Sequence, residues 1–351
     1  MIKNREDIEW SNFWWEDANR ECSRILLIGD SVTRGYRSLL NNIFKNTDYV
    51  IDLCAFSASI TDDLTDKMLA GFFSVSEYSY ECIGIQLGGQ HGFKNLQCHI
   101  NKKDRETFKE LYQKCVRELR SRCGNIFFIS YTPTVLDENL QIYNINRNNE
   151  LICRNEIVRE VALETHSLYI DLWSMLLDRK CEHIDKIHFD RKTNLYIAAK
   201  VARELISKMY IKMDAYEIIK SNYQRMILDE CFPDNSELVY QSLVKEYGDF
   251  KQGVILFGAG TWGKEMYRVL ANRQFPVFVV DNNRKKWGQS FFETEISSPC
   301  ICKDFEGYII VTVLNAQDEI EKQIKREFHS NARVIKIEAI QKMVQAIYTF
   351  D

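Results

Sequence analysis

The chain has 351 residues, of which 45% are hydrophobic and 27% are charged. A single hydrophobic core rarely grows past about 250–300 residues, so this length predicts two domains, and the composition excludes a disordered or fibrous chain. The net charge of -4 argues against nucleic acid as a partner, because binding phosphates requires a clustered cationic surface.

The amino-terminal residues 1–24 are rich in aromatic side chains, including Trp10, Trp14 and Trp15, and we expect a helical lead-in here. The segment is acidic and lacks the apolar core of a signal peptide, and no apolar run is long enough to cross a membrane. We therefore expect a cytoplasmic protein with no membrane partner. The 11 cysteines are scattered without a CxxC pair, which favours reduced packing residues over a metal site or a disulfide scaffold.

Apolar runs and helical patterns alternate from residue 24 to about residue 210. Continuous apolar runs with a polar end are typical of strands buried in a parallel sheet. Such runs are Arg24–Asp30, Val50–Phe56, Cys82–Gly88, Asn125–Tyr131 and Ser167–Trp173. Apolar residues recur at helical spacing in Lys103–Cys123, Asn148–Glu164 and Lys192–Met209. This alternation predicts an α/β domain over residues 1–210 with a doubly wound, parallel, five-stranded sheet.

Residues 211–249 lack a strand pattern, and the turn at Pro233–Ser236 divides them into two short helices. We interpret this stretch as a helical connector. A second alternation of strands and helices begins at about residue 250 and continues to residue 351. It predicts a smaller Rossmann-like α/β domain.

The sequence GDSVTRGY follows the first predicted strand and places Ser31 directly after it. Ligands of a parallel sheet bind beyond the carboxyl ends of the strands, where the amides of the next helix favour negative charge. Ser31 therefore has the setting of a nucleophile beside an oxyanion site. A serine at a strand-to-helix junction is explained equally well as the N-cap of the helix.

Asp185 and His188 lie directly before the last helix of the same predicted domain. A serine hydroxyl becomes an effective nucleophile when a histidine accepts its proton, and a carboxylate fixes the tautomer of that histidine. An aspartate three residues before a histidine on a loop allows both side chains to converge. Because the chain has only 6 histidines, this spacing favours a catalytic role with Ser31 over a solvent-facing histidine.

The order of strand, GDS, DxxH and final helix resembles the SGNH/GDSL hydrolase family over residues 8–210. The resemblance implies that Ser31 is the nucleophile, that His188 is the general base and then the general acid, and that Asp185 orients the histidine. It also implies ester hydrolysis that requires no cofactor.

The predicted oxyanion hole departs from the family pattern at two places. The loop that usually offers a glycine amide reads FSASI, so one of Ser57 to Ser59 would donate instead. The block that usually reads Gly-x-Asn-Asp is GGQH here, so the side-chain donor is Gln90, His91 or neither of them. We assign the oxyanion hole to Ser31, Ser59, Gly89 and either Gln90 or His91.

Gly258, Gly260 and Gly263 form a GxGxxG turn between a predicted strand and a predicted helix, and Asp281 ends the next strand. Such glycines permit a tight turn and the close approach of a phosphate, and an acid in this position can bond a ribose hydroxyl. The same glycines also suit packing alone. The stretch resembles Rossmann-like domains attached to bacterial sugar-modifying enzymes, which implies a nucleotide or nucleotide-sugar ligand.

Together these patterns predict a serine esterase that removes a small acyl group, an O-acetyl group of a carbohydrate, without a metal ion. Three alternatives remain open. The same triad could transfer the acyl group to a sugar hydroxyl. A degenerate triad site would leave a non-catalytic nucleotide-sugar-binding protein. An NAD-linked oxidoreductase would also use the glycine turn, although the second domain is short and shows no catalytic residues of its own.

Overall fold

The computed structural model describes residues 10–57, 63–75, 77–87, 102–178, 181–208, 210–234, 236–271 and 273–347. The chain divides into two compact units, the first ending at Tyr223 and the second beginning at Gln224. Both units are of the α/β class. Within these ranges no helix is both long enough and apolar enough to cross a membrane.

The first unit contains a six-stranded sheet and a separate hairpin. The strands are β1 (Ser11–Trp14), β2 (Ser23–Gly29), β3 (Tyr49–Phe56), β4 (Cys82–Gln86), β5 (Ile126–Ile129), β6 (Val135–Asp137), β7 (Ile142–Tyr143) and β8 (Leu168–Ile170). Strands β6 and β7 form the hairpin, and the sheet order is β1-β3-β2-β4-β5-β8. All neighbours in the sheet are parallel except β1, which runs antiparallel to β3.

The helices of the first unit are α1 (Ser31–Ile43), α2 (Asp63–Val75), α3 (Lys102–Arg120), α4 (Ile145–Glu164), α5 (Leu172–Asp178) and α6 (Arg191–Ser207). Helix α7 (Tyr216–Asp234) contains the boundary between the units, and α8 (Ser236–Tyr247) belongs to the second unit. The three long helices predicted before residue 210 are confirmed as α3, α4 and α6, with ends that differ by a few residues. Buried residues of α2, α3 and α4 share one core with Leu26 and Ile28 of β2, whereas α1 packs against α6.

The helix expected in residues 1–24 is wrong for Ser11–Trp14, which form β1, so the sheet has six strands where five were predicted. Phe13 and Trp15 point to the same side and both contact Phe72, at ring distances of 5.4 and 5.1 Å. Trp14 is 50% exposed. This alternation of partly buried and exposed side chains has the period of a strand.

The second unit contains another six-stranded sheet. Its elements are β9 (Val254–Phe257), α9 (Thr261–Leu270), β10 (Val277–Val280), β11 (Ser290–Phe291), β12 (Thr294–Ser297), β13 (Tyr308–Val311), α10 (Gln317–Arg326), β14 (Arg333–Lys336) and α11 (Ile337–Ile347). The sheet order is β11-β12-β10-β9-β13-β14, and every pair except β11 with β12 is parallel. The chain therefore reverses its direction of strand addition between β9 and β13, where α/β sheets usually open a ligand crevice.

Candidate active site

Strand β2 ends at Gly29, and helix α1 begins two residues later with Ser31 as its first residue. A Cβ atom on Gly29 would lie 2.0 Å from the Thr33 Oγ1 atom, so glycine lets the helix start directly after the strand. Asp30 caps this helix, because its Oδ1 atom accepts a hydrogen bond of 2.9 Å from the Val32 amide. Ser31 is therefore not the N-cap, and the alternative interpretation of this residue is wrong.

The Ser31 hydroxyl meets His188, which comes from the loop before α6. The Oγ atom of Ser31 lies 2.7 Å from His188 Nε2, and His188 Nδ1 lies 2.7 Å from Asp185 Oδ2. The other carboxylate oxygen of Asp185 accepts the amides of Ile187 and His188, both at 2.7 Å. Asp185 thus holds the loop backbone and the imidazole ring with the same carboxylate.

The electrostatics of Asp185 suit this arrangement. Burial raises the pKa of its carboxyl group, but the hydrogen bonds from the amide and ring of His188 and from the Ile187 amide outweigh burial and lower that pKa. The ionised carboxylate accepts from Nδ1, so Nε2 of neutral His188 is left to accept the proton of Ser31. The His188 side chain is 36% exposed, which leaves room for an incoming substrate.

A buried glutamine that the sequence analysis missed supports the turn that carries Ser31. Gln86, at the end of β4, accepts hydrogen bonds at its Oε1 atom from Thr33 at 2.8 Å and Tyr36 at 3.2 Å. Its Nε2 atom donates to the Ser130 carbonyl at 2.7 Å. The available signal was a polar residue at the end of a wholly apolar strand, where a buried amide must find partners.

Of the predicted oxyanion-hole residues, the structure describes Ser31. Its amide belongs to the first turn of α1, where backbone N–H groups have no partner within the helix. Ser59, Gly89, Gln90 and His91 lie outside the described residues. The Ser57 amide donates to the Trp10 carbonyl at 3.0 Å, so Ser57 is not a donor to the oxyanion.

The glycine turn of the second unit joins β9 to α9. Gly258 has φ +120°, and a Cβ atom there would lie 2.5 Å from Val313 Cγ2. A Cβ atom on Gly263 would lie 2.1 Å from the Gly258 carbonyl oxygen, so these two glycines are required by the turn itself. By contrast, a Cβ atom on Gly260 would meet no atom within 4 Å.

Asp281 holds this turn in place. Its Oδ2 atom accepts the Ala259 amide at 2.9 Å and Lys286 Nζ at 2.7 Å, and its Oδ1 atom accepts the Asn283 amide at 2.8 Å. Burial raises the pKa of this carboxyl group, but Lys286 and the two amides outweigh it and lower the pKa. A cavity of about 490 Å³ lies beside the turn, and its lining includes Asp281, Glu319 and Glu327.

Comparisons with known proteins give one family match with defined residues and several weak structural likenesses. The family described as C2185-like, N-terminal, matches residues 250–335, which lie in the second unit. A search of curated proteins finds no match.

Several solved structures resemble about half of the chain. Axe2, an acetylxylan esterase from Geobacillus stearothermophilus, is 16% identical, with 53% of this chain and 95% of that chain covered and a TM-score of 0.39. The acetyl xylan esterase AlAXEase is 19% identical over 51% of this chain and 98% of that chain, with a TM-score of 0.38. LAE5, an alpha/beta hydrolase from the metagenome of Lake Arreo, Spain, is 15% identical over 52% of this chain and 94% of that chain, with a TM-score of 0.40. At these TM-scores the likenesses assign no activity to this chain.

Proposed function

We propose that this chain is a serine esterase that hydrolyses a small acyl ester. The observation that carries the proposal is the unbroken series of hydrogen bonds from Asp185 through His188 to Ser31, with 2.7 Å at each side-chain step. The series ends at a hydroxyl on the first turn of a helix, where developing negative charge is favoured.

The reaction proceeds in two halves. Ser31 Oγ attacks the acyl carbonyl carbon while His188 Nε2 takes the hydroxyl proton, and the resulting imidazolium is stabilised by the Asp185 carboxylate. His188 then gives this proton to the leaving alcohol as the ester bond breaks. In the second half, His188 removes a proton from water, which attacks the acyl-enzyme. The histidine returns that proton to Ser31 Oγ, and the carboxylic acid leaves.

The finer proposal is that the acyl group is acetyl and that a carbohydrate carries it. It rests on the resemblance of the second unit to domains attached to bacterial sugar-modifying enzymes. Acyl transfer to a sugar hydroxyl would use the same first half-reaction, so the identity of the acceptor separates the two activities. Mass spectrometry of an acetylated oligosaccharide decides between them: loss of acetyl groups supports hydrolysis, and a net gain in the presence of an acetyl donor overturns it.

Hydrolysis of p-nitrophenyl acetate tests the esterase proposal directly. We expect Ser31→Ala and His188→Ala to lose at least about 10³-fold in kcat, because either change interrupts proton transfer. Ser38→Ala is the matched control, since Ser38 is exposed on the same helix α1. Labelling by a fluorophosphonate probe should be lost in Ser31→Ala and kept in Ser38→Ala. Equal hydrolysis by the wild type and all three variants would overturn the proposal.

We also propose a nucleotide or nucleotide-sugar ligand for the second unit, held by Gly258, Gly260, Gly263 and Asp281. The supporting observation is the open space at Gly260, the N-cap of α9, which contributes no side-chain capping bond. Backbone amides at such a helix start suit a phosphate.

Calorimetric titration with UDP and a UDP-sugar tests this second proposal. We expect Gly260→Val, which fills the open space, to weaken binding at least about 10-fold. Gly71→Ala, at a glycine of α2 where a Cβ atom also meets nothing within 4 Å, should leave binding unchanged. Absence of heat with the wild-type chain for both ligands would overturn the proposal.

A further inference from the structure

The loop that carries Asp185 and His188 is closed at its base. The Ile184 amide donates to the His188 carbonyl at 2.8 Å, and the Asp190 amide donates to the Glu182 carbonyl at 3.0 Å. These two bonds place His183 opposite Phe189 as an antiparallel bridge. We call residues 183–189 the catalytic loop. Both proposed partners of Ser31 therefore sit on a short loop whose position depends on what its base contacts.

The hairpin of β6 and β7 contacts the catalytic loop at two places, at Lys186 and at His183 of the base. The Val135 amide donates to the Lys186 carbonyl at 3.0 Å. Gln141 and His183 form a reciprocal pair, in which the His183 amide donates to Gln141 Oε1 at 3.0 Å and Gln141 Nε2 donates to the His183 carbonyl at 3.1 Å. A side-chain amide that satisfies both backbone groups of one residue fixes that residue much as a neighbouring strand would.

The His183 ring adds a third connection. The side chain is buried, and its ring centroid lies 4.4 Å from that of Phe189. Its Nε2 atom lies 3.0 Å from the Pro133 carbonyl oxygen and its Nδ1 atom lies 3.3 Å from Gln141 Oε1. Both oxygens accept and a neutral ring has one N–H, so the shorter distance favours the hydrogen on Nε2. Burial lowers the pKa of His183, which keeps the ring neutral at neutral pH.

The segment that receives these bonds is itself anchored to α4. The Thr134 amide donates to Asn148 Oδ1 at 2.8 Å, and Asn148 Nδ2 returns a bond of 3.0 Å to the Thr134 carbonyl. The Tyr131 amide donates to Asn155 Oδ1 at 2.7 Å. The Pro133 carbonyl thus belongs to a stretch held on both sides by buried asparagines.

Gln141 occupies its place at a conformational cost. Its φ angle is +53°, in the left-handed region that residues other than glycine rarely adopt. Such a conformation persists when surrounding contacts hold it, and strained residues cluster near functional sites. The contacts that hold it are the pair with His183 and a further bond from Nε2 to the Glu138 carbonyl.

We propose that Gln141 and His183 are a positioning pair that sets the catalytic loop so that Asp185 and His188 reach Ser31. The inference rests on the proposed esterase function and deepens it. Neither residue touches the reacting atoms in this role. Both act through the loop, because the bridge at its base passes any displacement of His183 directly to His188.

Removing the pair should slow the chemical step and leave ester binding intact. A displacement of about 1 Å at a catalytic group can cost roughly 10²-fold in rate. We therefore expect kcat to fall roughly 10- to 100-fold while KM stays within about twofold.

Two variants separate positioning from folding. Gln141→Gly removes the amide but places glycine where φ is positive, so the thermal unfolding midpoint should not fall. His183→Phe removes both ring nitrogens and keeps an aromatic ring beside Phe189. Asn139→Ala is the matched control, because it deletes an exposed amide on the same hairpin. We expect a lower kcat in Gln141→Gly and in His183→Phe and an unchanged kcat in Asn139→Ala. Because the two residues act together, the double variant should have a kcat close to that of the slower single variant.

A spectroscopic measurement adds a readout that stability alone would not move. The proton on His188 Nδ1, shared with Asp185, should give a downfield NMR signal in the wild type and in Asn139→Ala. It should broaden or shift in Gln141→Gly. A wild-type kcat together with an unchanged NMR signal in both pair variants would overturn the positioning role. A loss of kcat in Gln141→Gly that is fully explained by a lower unfolding midpoint would also overturn it. If the wild type neither hydrolyses esters nor reacts with a fluorophosphonate, the esterase proposal fails first.

Discussion

The two units contain the same strand–turn–helix junction, with different side chains at the start of the helix. In each, a central parallel strand ends in a tight turn and a helix begins there, β2 to α1 in the first unit and β9 to α9 in the second. In the first unit, Asp30 caps the helix from within the turn. In the second, Gly260 occupies the cap position, and Asp281 accepts the preceding Ala259 amide from the end of β10.

This difference would allow one backbone arrangement to serve the two kinds of chemistry proposed above. Where the turn carries its own carboxylate cap, the next residue presents a hydroxyl to a histidine from another loop, and the site suits covalent catalysis. Where the cap position is a glycine, the helix start is open, and the site suits a bound anion. The residues at the cap position and directly after it would determine which chemistry each site suits, and the sheet positions the turn.

The largest effect that would sharpen this comparison is expected from exchanging each carboxylate for an amide. Asp185→Asn should lower kcat for p-nitrophenyl acetate by about 10⁴-fold, the loss caused by the same exchange in a known serine protease, because the amide stabilises the wrong histidine tautomer. Asp281→Asn should leave this activity unchanged. Steady-state kinetics of both variants check the contrast, and a comparable loss in Asp281→Asn would show that the two sites are not independent.

A smaller effect is expected from adding one methyl group to the glycine turn. Gly263→Ala places a Cβ atom against the Gly258 carbonyl oxygen, so α9 must move away from β9 at a cost of about 1–3 kcal/mol. Hydrogen exchange of peptides from β9 and α9 should quicken, while ester hydrolysis persists. Gly260→Ser is the control, since its side chain enters open space and serine is a preferred N-cap worth a few tenths of a kcal/mol over glycine. Equal protection in both variants would contradict the packing role of Gly263.

The smallest effect concerns the pH dependence of the second unit. The folded-state pKa of Asp281 is lowered, so its stabilising effect is complete above the unfolded value of about 3.9 and is lost as the pH falls through the folded value. Asp281→Asn should therefore be less stable by about 1 kcal/mol at pH 7. Urea unfolding followed by circular dichroism from pH 7 down to pH 2 should show that the difference in unfolding free energy between the wild type and Asp281→Asn becomes smaller in acid. A difference that stays constant with pH would mean that the charge of Asp281 contributes nothing to stability.

The sequence was sufficient to predict the parts of the fold that depend on local residue patterns. Buried parallel strands are apolar on both faces, so β2, β3 and β4 are visible as continuous runs. Asp185 and His188 could be assigned because their spacing on a loop brings the side chains together without further information. The meeting of His188 with Ser31, 157 residues earlier, was implied by the resemblance of the order of strand, GDS, DxxH and final helix to the SGNH/GDSL family.

The parts that sequence reasoning missed depend on pairing between distant segments. The aromatic stretch around β1 fits helix and strand periods equally over four residues, and only β3 decides between them. The pair of Gln141 and His183 joins two irregular loops 42 residues apart, and no spacing rule connects them. Gln86 looks like an interruption of an apolar strand until its buried partners are known.

Strand β1 also has a consequence for how this protein behaves in concentrated solution. It covers the otherwise open side of β3, a strand buried along its whole length, and the Ser57 amide extends this cover by bonding the Trp10 carbonyl. An uncovered apolar strand offers its backbone to other molecules and promotes aggregation. We therefore expect β1 to protect the protein from self-association, and its removal should cause aggregation before it affects the catalytic residues.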